Sequence, residues 1–258
     1  MSMNINENYI KAVILEENDS EEYFMSIPAI SHLTSIEFRK PITFFVGENG
    51  TGKSTLLEAI AVSFGFNPEG GSLDFIFNTK DSHSELHYYI TIMRGLKRPR
   101  DGFFLRAESF YNVATYIEET EKYSGSRVEY ARYGGKSLHD QSHGESFMSL
   151  MNSRFIGEGI YILDEPEAAL SPQRQLSLMI IINKLIKKGS QFIIATHSPI
   201  LLAMEDADIL SFDGYEIDKL DYEETEPYQI TKMFIEDRNN ILRRISSSNS
   251  ICNKIIDK

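Results

Sequence analysis

An α/β fold with a mostly parallel core sheet is predicted by three observations. Three apolar runs, 42–46 (ITFFV), 160–163 (IYIL) and 192–195 (FIIA), read as strands buried on both faces. Each is followed by a turn and a stretch at helical spacing, the alternation that makes a parallel sheet. Ahead of the first run lie short strand-like segments, which predict a small antiparallel sheet beside the main one.

In chain order, residues 9–15, 22–27 and 33–38 read as those short strands. Tyr9, Tyr23 and Phe24 among them are candidates to stack on an adenine, although core packing is the commoner fate of such rings. After the 42–46 run the chain turns through Gly47, Gly50 and Gly52. Leu56, Leu57, Ile60, Ala61 and Phe64 then recur at helical spacing up to Gly65. Residues 65–84 are loop-like, 86–93 and 103–107 read as strands, and 94–102 is a basic turn carrying Arg94, Lys97, Arg98 and Arg100. A solvated hairpin tip explains that turn, and so does contact with nucleic acid or an acidic partner. Ser109 can cap a helix reaching about Tyr123, and residues 124–140 are polar, with Arg127, Arg132 and Lys136. Ser171-Pro172 and Ser198-Pro199 open two further helices, the first ending at Gly189. Residues 208–220 read as a hairpin about Asp213-Gly214, 227–245 as a helix, and 246–258 as a loose tail.

The chain has 258 residues, 41% of them hydrophobic and 25% charged, enough for a sizeable core without disulfides. Its one cysteine, Cys252, excludes an intrachain disulfide and fits a reducing compartment. The N-terminus lacks the pattern of a signal peptide, and no apolar run approaches the length that crosses a bilayer. The expectation is a cytoplasmic protein. A net charge of −12 argues against a general electrostatic grip on nucleic acid and leaves room for a local basic face.

The chemistry concentrates at the ends of the three apolar runs. Gly47, Gly52, Lys53 and Ser54 match the phosphate-binding loop pattern, in the strand–loop–helix context that gives the pattern meaning. Glycine lets backbone N–H groups curl round a phosphate, and the positive end of the following helix adds to the field. Lys53 is expected to reach the β- and γ-phosphates and Ser54 to ligate Mg²⁺. Asp164 and Glu165 close the second run. An isolated acidic pair is commonly a cap or a surface pair, but at a strand end in a chain with a phosphate loop it suits catalysis. Asp164 fits the Walker B role of holding the Mg²⁺ shell, and Glu165 can orient the attacking water and take its proton. His197, within Thr-His-Ser-Pro after the third run, can donate to the γ-phosphate.

Four segments, GENGTGKST at 47–55, SHGES at 142–146, YILDEPEAAL at 161–170 and ATHSP at 195–199, make the chain resemble the ABC-type ATPases in order and spacing over about residues 5–245. It looks most like soluble, stand-alone members with RecF- and SMC-like heads, classed as AAA-family ATPases. The resemblance implies a P-loop NTPase fold of ABC type: a mostly parallel core sheet, an N-terminal antiparallel β subdomain and a helical signature subdomain. It implies one ATPase domain over 1–245, with the helical insertion at about 65–155. It implies ATP and Mg²⁺ as ligands. Gly47, Glu48, Asn49, Gly50, Thr51, Gly52, Lys53, Ser54 and Thr55 would surround the phosphates, and Lys53, Glu165 and His197 would carry hydrolysis. Members typically sandwich two ATP molecules between head-to-tail subunits, so Ser142, His143, Gly144 and Glu145 would serve the nucleotide of the other copy. The common signature Ser-Gly-Gly-Gln here reads Ser142-His143-Gly144-Glu145, and Ser171 stands where an Asp is usual. No glutamine ends the 103–107 strand, and Glu108 lies near the expected position. Residues 65–141 are too few for a long coiled-coil arm.

Two functions follow from the resemblance. In one, an ATP-dependent homodimer acts on another macromolecule, DNA or a protein partner, in repair or defence. In the other, the chain is the nucleotide-binding subunit of an ABC membrane transporter. The altered signature and the missing glutamine favour the first, and co-purification with a membrane protein would favour the second. A non-hydrolysing nucleotide switch is a third class, disfavoured by Glu165 and His197.

Overall fold

The computed structural model describes residues 8–16, 20–73, 84–106 and 143–247. Among the described residues ten strands form two sheets. Strands β1 (Ile10–Leu15), β2 (Ser35–Glu37) and β5 (Ile90–Arg94) make a three-stranded antiparallel sheet in the order β2-β1-β5. The larger sheet contains β3 (Ile42–Val46), β4 (Gly71–Ser72), β6 (Asp101–Arg106), β7 (Gly159–Asp164), β8 (Gln191–Ala195), β9 (Ala207–Ser211) and β10 (Asp218–Leu220), in the order β10-β9-β3-β8-β7-β6-β4. Its five middle strands are parallel, and the two short edge strands run antiparallel to their neighbours. The helices are α1 (Pro28–Ser31), α2 (Lys53–Phe64), α3 (His143–Arg154), α4 (Pro172–Ile186), α5 (Pro199–Leu202) and α6 (Glu226–Ser247).

Apolar residues fill both faces of β3, β7 and β8 because each face has a cover. Phe44, Tyr161, Leu163, Phe192 and Ile194 pack with Phe147, Leu150, Leu178 and Ile182 of α3 and α4. Phe45, Ile160, Ile162, Ile193 and Ala195 face the opposite way. They share a core with Leu56, Leu57 and Ile60 of α2 and with Ile10, Val13 and Ile90 of the small sheet. Helix α2 is thus held from the main sheet on one side and the small sheet on the other.

Several sequence expectations change. Residues 22–27 are not a strand: Tyr23–Ser26 is a 3₁₀ turn leading into α1. Pro28 opens that helix, and Phe24 turns fully into the core. The third strand of the small sheet is instead β5, contributed by residues beyond the phosphate loop. The basic turn is not a hairpin tip, because β5 and β6 belong to different sheets. Strand β4 lies within residues read as loop. Helix α6 runs past the expected boundary to Ser247, and the rest of the tail lies outside the described residues. So do the helix expected after Ser109 and residues 124–140.

One buried polar cluster ties the bottom of the sheet together. Asp101, 2% exposed at its side chain, accepts from Arg154 at 2.5 Å. It also accepts from the Tyr161 hydroxyl at 2.6 Å and from the backbone N–H groups of Gly102 and Ile156. Burial, then the Asp101 contact, pushes the Tyr161 hydroxyl pKa up, so it stays a donor. The carboxylate thereby joins β6, β7 and the end of α3. Asp101→Ala strands a half-buried guanidinium and three further donors. It is expected to cost roughly 3–5 kcal/mol in urea unfolding; a loss below about 1 kcal/mol would mean the cluster does not hold these elements together.

Candidate functional site

The register of the parallel strands sets the site. Phe45 pairs with Ala195, Ala195 with Asp164, and Asp164 with Arg106, a single line across β3, β8, β7 and β6. The residues just beyond that line emerge at one edge of the sheet, at the carboxyl ends of the strands. They include the loop from Gly47, Glu165 after β7, and Thr196 and His197 after β8. Cross-bonds fix the edge: Glu165 N–H donates to Ala195 O at 2.9 Å, and Thr196 N–H to Phe45 O at 3.1 Å.

The loop from Gly47 to Gly52 needs glycine at both ends. Gly47 has φ +139°, and a Cβ there would lie 2.9 Å from Asp213 Oδ1. Gly52 precedes α2 with φ +96°, and its Cβ would strike Ile30 and Ile27 at 2.9–3.0 Å. The segment before β2 is therefore packed directly against the loop. Glu48, Asn49 and Gly50 are exposed at its tip, and the Thr51 hydroxyl donates to Glu48 O at 2.9 Å. Lys53 is buried, and its ammonium donates to Gly47 O at 2.7 Å and Glu48 O at 2.6 Å. Burial lowers the Lys53 pKa, opposed by the negative charges of Glu165, Asp213, Asp164 and Glu167.

Ser54 lies one residue into α2 and donates to Asp164 Oδ1 at 2.9 Å; Thr55 follows it, half-buried. A hydroxyl and a carboxylate oxygen side by side are hard ligands suited to Mg²⁺, which prefers one or two carboxylates with the rest of its shell from water and phosphate.

Glu165 and His197 face each other, with Oε1 3.7 Å from Nε2. Glu165 has φ +49°, a left-handed conformation that costs about 1 kcal/mol or more for a residue with a Cβ. The His197 Nε2 is covered and has no hydrogen-bond partner, which leaves it able to donate into the site. The histidine loop is braced from below. The Ser198 hydroxyl donates to Gln175 Oε1 on α4 at 2.6 Å and accepts from Ile200 and Leu201 N–H as the cap of α5.

Three side chains at this edge were not anticipated. Glu167, two residues past Glu165, accepts from His197 N–H at 2.6 Å. Burial raises its pKa, while the His197 bond works the other way. Arg106 ends β6, pairs with Glu58 of α2 and reaches to 3.8 Å from Asp164 Oδ2. Asp213, in the turn after β9, accepts from Glu48 N–H at 2.6 Å. Arg106 was findable, since the residue ending a strand beside the Asp164 strand must share its edge. Asp213 carried only a turn signal.

The structure brings Gly47, Glu48, Lys53, Ser54, Asp164, Glu165 and His197 to one edge. Gly144 and Glu145 open α3 and lie against α4 instead. Glu145 is 3.5 Å from Arg174, and a Cβ on Gly144 would collide with Arg174 and with Ala169 O. Ser142, the His143 side chain and Glu108 lie outside the described residues. Of the three candidate stacking rings, Phe24 is in the core. Tyr9 is buried with its hydroxyl on Gly189 O, at the far end of β8, so only Tyr23, 58% exposed, remains. Of the basic turn, exposed Arg94 lies against α2, its guanidinium 4.6 Å over the Phe64 ring and bonded to Phe64 O. Lys97, Arg98 and Arg100 instead line a cavity of about 610 Å³ with Tyr9, Glu158, Lys187, Lys188 and Gly189, at the opposite pole of the sheet.

Known proteins resemble this chain in sequence and in fold. The ribose import ATP-binding protein RbsA of Bacillus cereus is 24% identical over 207 residues, 74% of this chain; the match covers 41% of RbsA, less than half its length. The cytochrome c biogenesis ATP-binding export protein CcmA of Rhizobium etli is 28% identical over 66% of this chain and 80% of its own. The structure of CbiO1 from Clostridium perfringens, part of the ABC transporter complex CbiONQ, superposes with a TM-score of 0.52 at 19% identity, covering 90% of this chain and 97% of that one. The family model AAA_23, an AAA domain, matches residues 22–254. The chain belongs to that family and is an ABC-type P-loop ATPase.

Proposed function

We propose that this protein binds Mg·ATP at the carboxyl edge of its large sheet and hydrolyses it to ADP and phosphate. The observation that carries the reading is the meeting there of the Ser54–Asp164 pair and the Glu165–His197 pair. In it, the N–H groups of the loop and the start of α2 hold the phosphates, and Lys53 exchanges its two carbonyl partners for phosphate oxygens. Ser54 and Asp164 would hold Mg²⁺, which would supply positive charge to offset that of the phosphates. Glu165 takes a proton from water as its oxygen bonds to the γ-phosphorus, while the bond to the ADP oxygen breaks. His197 Nε2 donates to a γ-phosphate oxygen, and Glu167 fixes the main chain of His197 while it does so.

By the same reading the nucleotide is closed from the other side by Ser142, His143, Gly144 and Glu145 of a second copy, and the ATP-dependent dimer acts on DNA or a protein partner in the cytoplasm. The chain then works as one ATPase domain over about residues 1–245. Among the described residues no helix is long and apolar enough to cross a membrane. The cavity of Lys97, Arg98, Arg100, Lys187 and Lys188 supports a nucleic-acid partner, because it gathers cations in a chain of net charge −12. A second reading, the nucleotide-binding subunit of a membrane transporter, draws support from the names of RbsA and CcmA. Co-purification with a membrane protein would favour it.

Nucleotide binding and size, measured together, test the core of the proposal. Lys53→Ala is expected to lose most of its ATP affinity, and unchanged binding would move the site elsewhere. Glu165→Gln keeps the shape but cannot accept the proton, so hydrolysis is expected to fall on the order of 10²–10⁴-fold. With the γ-phosphate retained, Glu165→Gln is expected to dimerise further in Mg·ATP but not in Mg·ADP, and adding Ser142→Arg undoes this. A Glu165→Gln protein that binds ATP without any change in size would refute the sandwich.

Duplex DNA binding is expected to be weak and salt-sensitive, with a log–log slope of about −3 to −5 if four or five cations meet phosphates. Reversal of Arg98, Arg100 and Lys188 to Glu should abolish it. Binding that survives the reversal would place the contact outside the cavity.

A further inference from the structure

The cavity at the amino-terminal pole of the large sheet is built by the turns that lead into three neighbouring parallel strands. Residues 97–100 precede β6, Glu158 precedes β7, and residues 187–189 precede β8. Backbone bonds stitch the turns together: Arg100 N–H donates to Glu158 O at 2.9 Å, and Glu158 N–H to Lys188 O at 3.1 Å. Glu158 holds a left-handed φ of +50°, and its carboxylate takes Arg100 Nε at 3.0 Å. Lys188 Nζ donates to Ile156 O at 3.2 Å, and the Tyr9 hydroxyl to Gly189 O at 3.0 Å. The walls are therefore fixed by the sheet and do not depend on a ligand.

Five cations, Lys97, Arg98, Arg100, Lys187 and Lys188, meet one carboxylate there. Lys187 and Lys188 alone would be explained as partners of the negative end of α4. That account leaves out Lys97, Arg98 and Arg100, which belong to no helix. Cations that converge from separate turns repel one another and call for an anion between them.

Shape and lining narrow the anion. The volume of about 610 Å³ is that of a small-ligand site. A duplex carries its phosphates in rows along a rod whose major groove is about 12 Å wide, and it suits a stripe of cations, not a bowl. Single-strand sites offer aromatic rings on which bases stack. The one aromatic lining residue here, Tyr9, is buried, with its hydroxyl committed to Gly189 O. The cavity thus has charge for phosphate and no ring for a base. A terminal phosphomonoester carries a charge of about −1.5 to −2 at pH 7, more than an internal phosphodiester, and it matches the fork of an arginine.

We propose, resting on the reading of this cavity as a nucleic-acid contact, that it takes the terminal phosphate of a strand end and not the side of a continuous duplex. Recognition is then independent of sequence and lies at the pole opposite the Mg·ATP edge.

Fluorescence anisotropy with three DNAs of one sequence tests this: a blunt hairpin with a 5′-phosphate, the same hairpin with a 5′-hydroxyl, and a closed dumbbell without ends. The Lys53→Ala protein is used, so that the phosphate loop does not compete for the end. The phosphorylated hairpin is expected to bind at least about tenfold more tightly than the other two. That advantage should vanish in the Arg98→Gln, Lys188→Gln double variant, whose circular dichroism stays unchanged. Equal binding of all three DNAs, weakened together by the double variant, would overturn the strand-end inference and leave the nucleic-acid reading standing. No binding of any DNA would overturn both. A phosphate advantage that survives the double variant would place the end elsewhere. Pyrophosphate bound more tightly than the phosphorylated hairpin would make a small phosphate the ligand and overturn the strand-end inference.

Discussion

The hydroxyl of Ser54 and the carboxylate of Asp164 meet at 2.9 Å across 110 residues of sequence, and the rest of the site depends on that meeting. It requires the phosphate loop to end at the same level as β7, although β8 lies between them. The register line Phe45–Ala195–Asp164–Arg106 delivers this. A slip of one residue in β7 would turn Asp164 to the other face of the sheet and bury it without Ser54. Apolar side chains on both faces of β3, β7 and β8 make such a slip costly, so the two cores hold the chemistry in place.

That alignment explains why so much was legible in the sequence. Unbroken apolar runs marked β3, β7 and β8, and buried parallel strands end where α/β sheets present polar groups. Glycine at 47 and 52 and the Ser-Pro pairs at 171–172 and 198–199 are read by local physics, since positive φ and helix caps are properties of a few neighbouring residues. The hairpin about Asp213 was legible for the same reason.

What escaped depends on long-range pairing. The aromatic run at 22–27 has strand composition, yet Phe24 is taken by the core and Pro28 starts a helix. Nothing local says that residues 90–94 complete the sheet begun by β1. Arg106 and Glu167 act on Asp164 and His197 only because neighbouring strands are in register. The basic residues were visible, but their sorting was not. Arg94 stacks on Phe64 away from the cavity, while Lys187 and Lys188 join from the end of α4.

The shared-ion role proposed for Ser54 and Asp164 is open to direct measurement with Mn²⁺ in place of Mg²⁺. Electron paramagnetic resonance of the protein with Mn²⁺ and ATP should reveal a bound ion coupled to phosphate phosphorus. Ser54→Ala and Asp164→Ala should each weaken that ion's binding more than they weaken ATP binding. An ion bound equally tightly by the Asp164→Ala protein would contradict the assignment of this edge as the Mg·ATP site.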